Sequence, residues 1–209
     1  MSKVVPVLGT LGAGGALGGG IALSSKLLSN TQRESIKNRL EKDKYKILNT
    51  KASDHWTNII ESYKKTENVW KLEGKDISDV ETLKSVCESK ATSDYSEDLY
   101  KSFTKWCVVP RTAEDLLKGS FTLLASDDTH ATDKEAWKHN VAAYEAAKKE
   151  DKYSLSDVSF KDKNGEDDKT KALKTGCKTR KGKFTYDVDL DSSIKEIKEW
   201  CLAKSQPNS

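Results

Sequence analysis

The sequence predicts a mainly α-helical fold, with an N-terminal membrane helix followed by two tandem-duplicated small helical units that each carry a disulfide bond. Three observations support this prediction. The stretch from Val4 to Leu23 is uncharged and long enough to cross a bilayer as a helix. Apolar residues beyond it recur at helical spacing. The same order of Trp, Tyr and Cys residues also occurs twice, which is typical of duplication rather than of a catalytic motif.

We divide the chain into five segments along these lines. They are an N-terminal membrane anchor or signal segment (1–28), a charged helical stalk (29–52), a first helical repeat (53–120), a connector (121–131) and a second helical repeat (132–209).

The N-terminal segment is rich in glycine, which disfavours a helix in water. In lipid, unpaired backbone groups are costly, so a spanning segment adopts a helix all the same. Gly14 and Gly18, and Gly15 and Gly19, form two overlapping GxxxG spacings that favour close helix packing within membrane lipid. The alternatives are a flexible glycine arm and a dinucleotide-binding turn, but Pro6 interrupts the strand that such a turn requires. We therefore expect a membrane helix.

The segment that follows, from Thr31 to Leu48, is dense in charge. Its apolar residues form only a thin stripe, which consists of Ile36, Leu40, Ile47 and Leu48. This pattern predicts an exposed helix or stalk between the membrane and the body of the protein.

The body contains one pattern in two copies. The first copy comprises Trp56, Ile60, Tyr63, Leu83, Cys87, Tyr100, Phe103, Trp106 and Cys107. The second comprises Trp137, Val141, Tyr144, Leu173, Cys177, Ile194, Ile197, Trp200 and Cys201. The order is kept while the offset grows along the chain, so the second copy contains loop insertions relative to the first. The spacing predicts three helices in each.

Capping signals mark the helix ends of the first copy. Ser53 or Asp54 precedes the first helix, and Ser78 with Glu81 forms a capping box for the second. Pro110 ends the third helix.

Similar signals mark the second copy. Thr132 with Glu135 predicts a capping box, and the polar insertion 161–171 contains the turn signal Asn164-Gly165. Residues 183–188 (KFTYDV) alternate in polarity and predict a short strand. The apolar stretch 116–125 packs as a connector between the copies.

All four cysteines belong to the repeated pattern. Four cysteines allow three pairings, and independent units favour Cys87 with Cys107 and Cys177 with Cys201. The geometry then demands Cα atoms within about 7 Å of each other. The alternatives are free thiols buried as small apolar groups and a zinc site, for which the chain lacks CxxC and suitably spaced His residues.

The charge of the chain argues against a nucleic-acid partner. The net charge is +3 and both signs are mixed along the sequence, whereas nucleic-acid binding needs one clustered basic face. Only four of the 36 basic residues are Arg, the residue that favours bidentate phosphate contacts.

The remaining candidate residues predict no chemistry. His55, His130 and His139 fit surface positions, since their spacing matches no metal site. The repeated Trp residues fit a core, while Trp70 lies outside the pattern. We recognise no nucleophile elbow, phosphate loop or catalytic triad. The sequence therefore predicts no catalytic, cofactor-binding or metal-binding residues.

Several segments resemble one known group of proteins. The glycine-rich start (VLGTLGAGGALGGGIAL), the lysine-rich stalk, the DHW…Y opening and the closing WC resemble the large paralogous families of uncharacterised proteins in haemotropic mycoplasmas. The resemblance implies a wall-less bacterium that lives on red blood cells, together with surface display, antigenic diversity and host contact. It implies no activity, cofactor or site residues.

Together these observations predict a membrane-anchored, single-pass, surface-exposed protein without catalysis, which acts in interaction with a host or self protein or as an antigen. Basic residues after the apolar segment favour a cytoplasmic body, whereas paired cysteines favour an extracellular one. We give more weight to the cysteines and therefore predict an extracellular body. The alternatives are a cytoplasmic-facing membrane scaffold with reduced thiols and an enzyme of unrecognised type with a site between the repeats.

Overall fold

The fold was analysed in a computed structural model, which describes residues 33–51, 54–127, 133–148 and 154–203. The helices are α1 (Ile36–Lys42), α2 (His55–Tyr63), α3 (Val80–Lys90), α4 (Glu97–Trp106), α5 (Ala113–Leu117), α6 (Lys134–Lys148), α7 (Glu166–Lys181) and α8 (Leu190–Trp200). A short 3₁₀ helix, Leu72–Gly74, lies between α2 and α3. Within the described ranges β-structure is limited to isolated bridges, so the mainly helical class is confirmed.

Buried apolar residues form two cores, one in each half of the body. The first half (residues 33–109) contains α1 to α4, and the second half (residues 111–203) contains α5 to α8. The first core is centred on Trp56, Tyr63 and Trp106. The second is centred on Trp137, Tyr144 and Trp200. One residue of the second half, Tyr186, lies in the first core, so the two cores are joined at this point.

The charged segment before the first repeat is not an exposed stalk in its described part. Ile36 and Leu40 are 0% and 1% exposed and belong to the first core. Helix α1 begins at the N-cap Ser35, whose side chain accepts a hydrogen bond from the Asn38 N–H. The stripe is thin because the helix is short. Two apolar residues one turn apart are enough to fill the space beside α4.

Helix α5, at the start of the second half, makes the same kind of backbone contact as α1 does in the first half. The Ile36 N–H donates to the Ser93 carbonyl at 2.9 Å, and the Ala113 N–H donates to the Lys183 carbonyl at 2.7 Å. In each half, a short capped helix is therefore tied to the connection between the two cysteine-bearing helices.

The predicted connector, 121–131, also has a counterpart in the first half. Leu123 forms a bridge with Leu202, as Ile47 does with Val108. Each half thus starts well before the boundary predicted at 53 or 132. Part of the predicted connector, residues 121–127, belongs to the second half.

Two local predictions differ from the structure. The N-cap of α3 is Asp79 rather than Ser78, and its side chain accepts the Thr82 N–H at 2.8 Å. The predicted strand 183–188 is a loop with one isolated bridge, between Thr112 and Phe184. The alternating pattern arises because the loop packs its apolar side chains on the first core. The Thr132 cap lies outside the described residues.

The predicted membrane segment 4–23, with Gly14, Gly15, Gly18 and Gly19, lies outside the described residues as well. Each helix in the described part of the chain is too short or too polar to cross a membrane.

Candidate interaction groove between the two halves

The cysteines lie in the pairs that the repeat favours. Cys87 and Cys107 have their Sγ atoms 2.01 Å apart and their Cα atoms 5.4 Å apart. For Cys177 and Cys201 the corresponding distances are 2.03 and 5.8 Å. In each pair one cysteine lies within a helix, and the other follows the last turn of the next helix. Both pairs are at disulfide-bonding distance.

The first tryptophan of each pattern forms the same hydrogen bond. The Trp56 Nε1–H donates to the Asn49 carbonyl at 2.9 Å, and the Trp137 Nε1–H donates to the Ala125 carbonyl at 2.9 Å. Each indole therefore holds the segment that precedes its own helix. This bond satisfies the one polar group of a buried Trp.

The tyrosine that follows contacts the last tryptophan of its half. The Tyr63 and Trp106 rings lie 5.0 Å apart edge to face, as do the Tyr144 and Trp200 rings. Burial raises the pKa of both tyrosine hydroxyls. These aromatic residues are core residues, and their geometry leaves no open face for a ligand.

In each half, the extended segment before the Trp-bearing helix (α2 or α6) forms a backbone hydrogen bond with the cysteine that follows the last helix (α4 or α8). The Leu48 N–H donates to the Cys107 carbonyl at 2.9 Å, and the Leu124 N–H donates to the Cys201 carbonyl at 3.0 Å. The cysteine at the end of each of these helices is therefore also held by a backbone hydrogen bond.

The histidines do not form a site together. The His55 ring lies 6.1 Å from the Phe184 ring, and His139 is exposed on α6. His130 lies outside the described residues. Within the described ranges, no three His, Cys, Asp or Glu side chains are grouped so that they could hold a metal ion.

The two halves meet through the loop between α7 and α8. Phe184 and Val188 pack against the first core, and Tyr186 is buried in it. The Lys105 Nζ donates to the Asp187 carbonyl at 2.8 Å. The loop therefore supplies both the apolar and the polar contacts of the interface.

Beside this loop lies a groove of about 270 Å³ that is open to solvent. Residues of both halves line it: Tyr45, Trp70, Lys101, Thr104, Lys105, Leu116, Thr185, Leu190, Asp191 and Ile194. Five of these ten residues are apolar or aromatic and five are polar or charged, so the groove combines apolar walls with polar groups, as ligand sites do. Trp70, which the repeat pattern left unexplained, forms part of this wall.

Lys105 is the buried cation of the groove. Only 8% of the residue is exposed. Burial lowers the pKa of its amine, while Asp191, Asp187 and Asp189 act in the opposite direction. Its Nζ also lies 5.7 Å from the centre of the Trp106 ring. The amine is thus held in place within a largely apolar environment.

Lys101 also lines the groove, and Arg111 contacts one of its lining residues, Tyr45. Lys101 is exposed and pairs with Glu97 at 3.2 Å. The Arg111 guanidinium lies 5.5 Å above the Tyr45 ring and so joins the second half to the first.

Sequence reasoning did not identify these groove residues. One signal pointed to the loop that builds the groove. The offset between copies is 90 at the second helix (Cys87 to Cys177) and 94 at the third (Cys107 to Cys201). Two of the four extra residues lie in the loop between α7 and α8, which has eight residues (182–189) against six (91–96) between α3 and α4. Nothing in the sequence marked this insertion as the contact between the halves.

Comparison of the chain with known proteins identified no relative: no family model, no curated protein and no solved structure matches it.

Proposed function

We propose that this protein is a membrane-anchored, non-catalytic interaction protein whose body faces the outside of the cell. The body consists of two copies of one helical unit, each closed by a disulfide bond, and it binds a host or self protein or is displayed as an antigen. The resemblance to the paralogous families of haemotropic mycoplasmas fits this role.

The matched contacts support duplication as the origin of the two halves. Backbone bonds, indole bonds and aromatic pairs recur with the same residue order in both. Two unrelated helical segments rarely agree in so many long-range contacts. The proposed unit therefore starts at the short helix α1 or α5 and ends after the second cysteine.

The cysteine geometry is the observation that carries the proposal. Both pairs lie at bonding distance, and cysteines without a partner are absent from the described residues. Structural disulfides persist in oxidising compartments and are rare in the cytoplasm. Small polar units also bury little apolar surface, so a covalent link stabilises each of them substantially.

Protease shaving of intact cells tests the location. We expect a protease added outside to remove the body, while a cytoplasmic marker protein stays intact. A body that is cleaved only after the cells are lysed would contradict the proposal.

Thiol trapping tests the bridges separately. Cells are treated with an alkylating reagent before lysis, and the non-reduced peptides are mapped by mass. We expect the peptides of Cys87 and Cys107 to be linked, and likewise those of Cys177 and Cys201. Four alkylated thiols would instead favour a cytoplasmic scaffold. Bridges between the halves would keep the compartment but contradict the independent units.

A further inference from the structure

We propose that the groove between the halves binds a small amphipathic carboxylate, a ligand that combines one carboxylate with a short apolar chain or ring. The carboxylate lies on the Lys105 amine, and the apolar part lies against Trp70, Leu116 and Ile194. The inference goes beyond the proposed function, because it does not depend on which side of the membrane the body occupies.

The buried amine has hydrogen-bonding capacity left for a ligand. A protonated lysine carries three N–H donors. In the described structure the Lys105 Nζ donates to one acceptor, the Asp187 carbonyl. A buried charge with incomplete hydrogen bonding is unfavourable, so an acceptor that reaches it is bound strongly.

The carboxylates near Lys105 do not accept its remaining N–H groups. The Asp187 carboxylate accepts the Phe184 N–H at 2.8 Å, and the Asp189 carboxylate pairs with Lys183 at 2.9 Å. Asp191 is exposed at the rim of the groove. In the described structure none of the three forms an ion pair with Lys105. The nearest acids therefore favour the charged form of the amine, against the effect of burial, and leave its remaining N–H groups to a ligand.

The apolar and aromatic residues of the groove indicate the chemistry of the ligand beyond its carboxylate. Trp70 and Tyr45 offer aromatic faces, and Leu116, Leu190 and Ile194 offer aliphatic surface. At about 270 Å³ the groove suits a small ligand rather than a folded partner. An apolar chain or ring that displaces water from these walls adds affinity in proportion to the area it buries.

The second half provides a comparison within the same chain. By the offset of the third helix, the residue that matches Lys105 is Glu199. The second half has its own buried lysine, Lys181, whose Nζ donates to the Leu124 carbonyl and which lies outside the groove. Lys105 and Lys181 are thus both buried, with 8% and 5% exposure, and both bind a carbonyl. Of the two lysines, only Lys105 lines the groove between the halves.

Calorimetric titration of the full chain with 3-phenylpropanoate tests the inference, with the solubilising buffer alone as the blank. The neutral 3-phenylpropanamide and the cationic 3-phenylpropylamine are the matched probes. We expect the carboxylate to bind about tenfold more tightly than the amide, because only the carboxylate makes a charge-assisted bond. We expect the amine not to bind. Perturbed NMR signals of Trp70 and Ile194 should locate the site.

Three variants complete the test. Lys105→Met should weaken the carboxylate about tenfold and leave amide binding unchanged, whereas Lys181→Met should change neither. Thr104→Phe should abolish binding by filling the groove while Lys105 stays in place. The Thr104 hydroxyl bonds only to carbonyls of its own helix in the described structure, so this variant should fold.

Three results would overturn the inference. They are equal affinity for carboxylate and amide, unchanged carboxylate affinity in Lys105→Met, and absence of binding at about 10 mM, where even a weak small ligand is detected. The Thr104→Phe variant keeps the test decisive if Lys105→Met loosens the interface.

Discussion

The two halves agree in several long-range contacts but differ at other positions that the repeat pattern matches. In the second half Arg180 is buried on α7 and pairs with both Asp157 and Glu196 at 2.5 Å. In the first half the matching residue is Lys90, which pairs with Glu73 at the surface. A planar guanidinium can bind two carboxylates at once, whereas an amine acts as a single point charge. The second half buries its cation more deeply, with 8% of the Arg180 side chain exposed against 25% for Lys90, while the acidic partners are exposed to similar extents in both halves.

A second difference lies inside the cores. The first half has Ile59 and the second has Asn140, and both are fully buried. The Asn140 amide donates to the Trp200 and Leu202 carbonyls at 3.0 Å each, while its Oδ1 lacks a partner in the described structure. The second half thus ties its helix end with a side chain where the first half packs apolar surface.

The proposed duplication implies that the common unit tolerates exchange of polar and apolar contacts. Both halves have the cysteine pair at bonding distance, the indole hydrogen bond and the aromatic pair. The predictions below use matched positions to separate the shared framework from the features of one half.

The largest effect is expected for the disulfides. Replacing Cys87 and Cys107 together by Ala, or Cys177 and Cys201 together by Ala, should lower the free energy of unfolding by about 2–4 kcal/mol in each case. The loops that the two bonds close are similar in length, at separations of 20 and 24 residues. Denaturant unfolding measures both. If only one of the two double variants lowers the free energy of unfolding, the two units do not depend equally on their bridges.

The next effect distinguishes the ion pairs. Arg180→Met should cost about 2–3 kcal/mol, less than for a fully enclosed pair because Asp157 stays 45% exposed. Lys90→Met should cost less, since the Lys90 side chain is 25% exposed against 8% for Arg180, and Lys75 also pairs with Glu73. Equal losses in thermal or denaturant unfolding would contradict the contrast between a buried and a partly exposed cation.

A smaller effect is expected from a single methyl group. A Cβ at Gly176 would collide with the Val158 Cγ2 and lie 3.1 Å from the Leu155 Cδ1. Gly176→Ala should therefore cost about 1–3 kcal/mol by overpacking. Gly182→Ala is the matched control, because its nearest neighbour would be the Lys178 carbonyl at an ordinary 3.5 Å. A neutral Gly176→Ala variant would show that the loop 154–160 yields readily.

The smallest effect is a pH dependence from the buried lysines. Burial lowers the pKa of Lys105 and of Lys181 below the ordinary value of 10.5. Between the lowered folded-state pKa and 10.5, the unfolded chain binds more protons, so stability from this source rises with pH. The stability of the wild type relative to Lys105→Met, and likewise to Lys181→Met, should therefore increase across this window. Denaturant unfolding at a series of pH values measures this difference in stability. A difference that decreases as the pH rises would contradict the burial argument.

Local spacing in the sequence was enough for the three helices of each copy and for the cysteine pairing, but it did not predict helix α5. Trp56, Ile60 and Tyr63 recur at helical intervals, and such a stripe specifies a helix wherever it is buried. The recurrence of the cysteines at matched positions of the two copies likewise selected the pairs that the structure brings together. Both inferences depend on separations along the chain, which the sequence states directly.

Tertiary structure alone decided where each half begins and where the groove lies. Ile36 and Leu40 are too few to distinguish an exposed stalk from a core helix, and only the packing against α4 buries them. Lys105 lies on a helix rich in charge, as many surface lysines do. It becomes a buried groove residue only because the α7–α8 loop of the other half covers it. Such contacts join residues about 80 positions apart, and no local pattern of hydrophobicity encodes them.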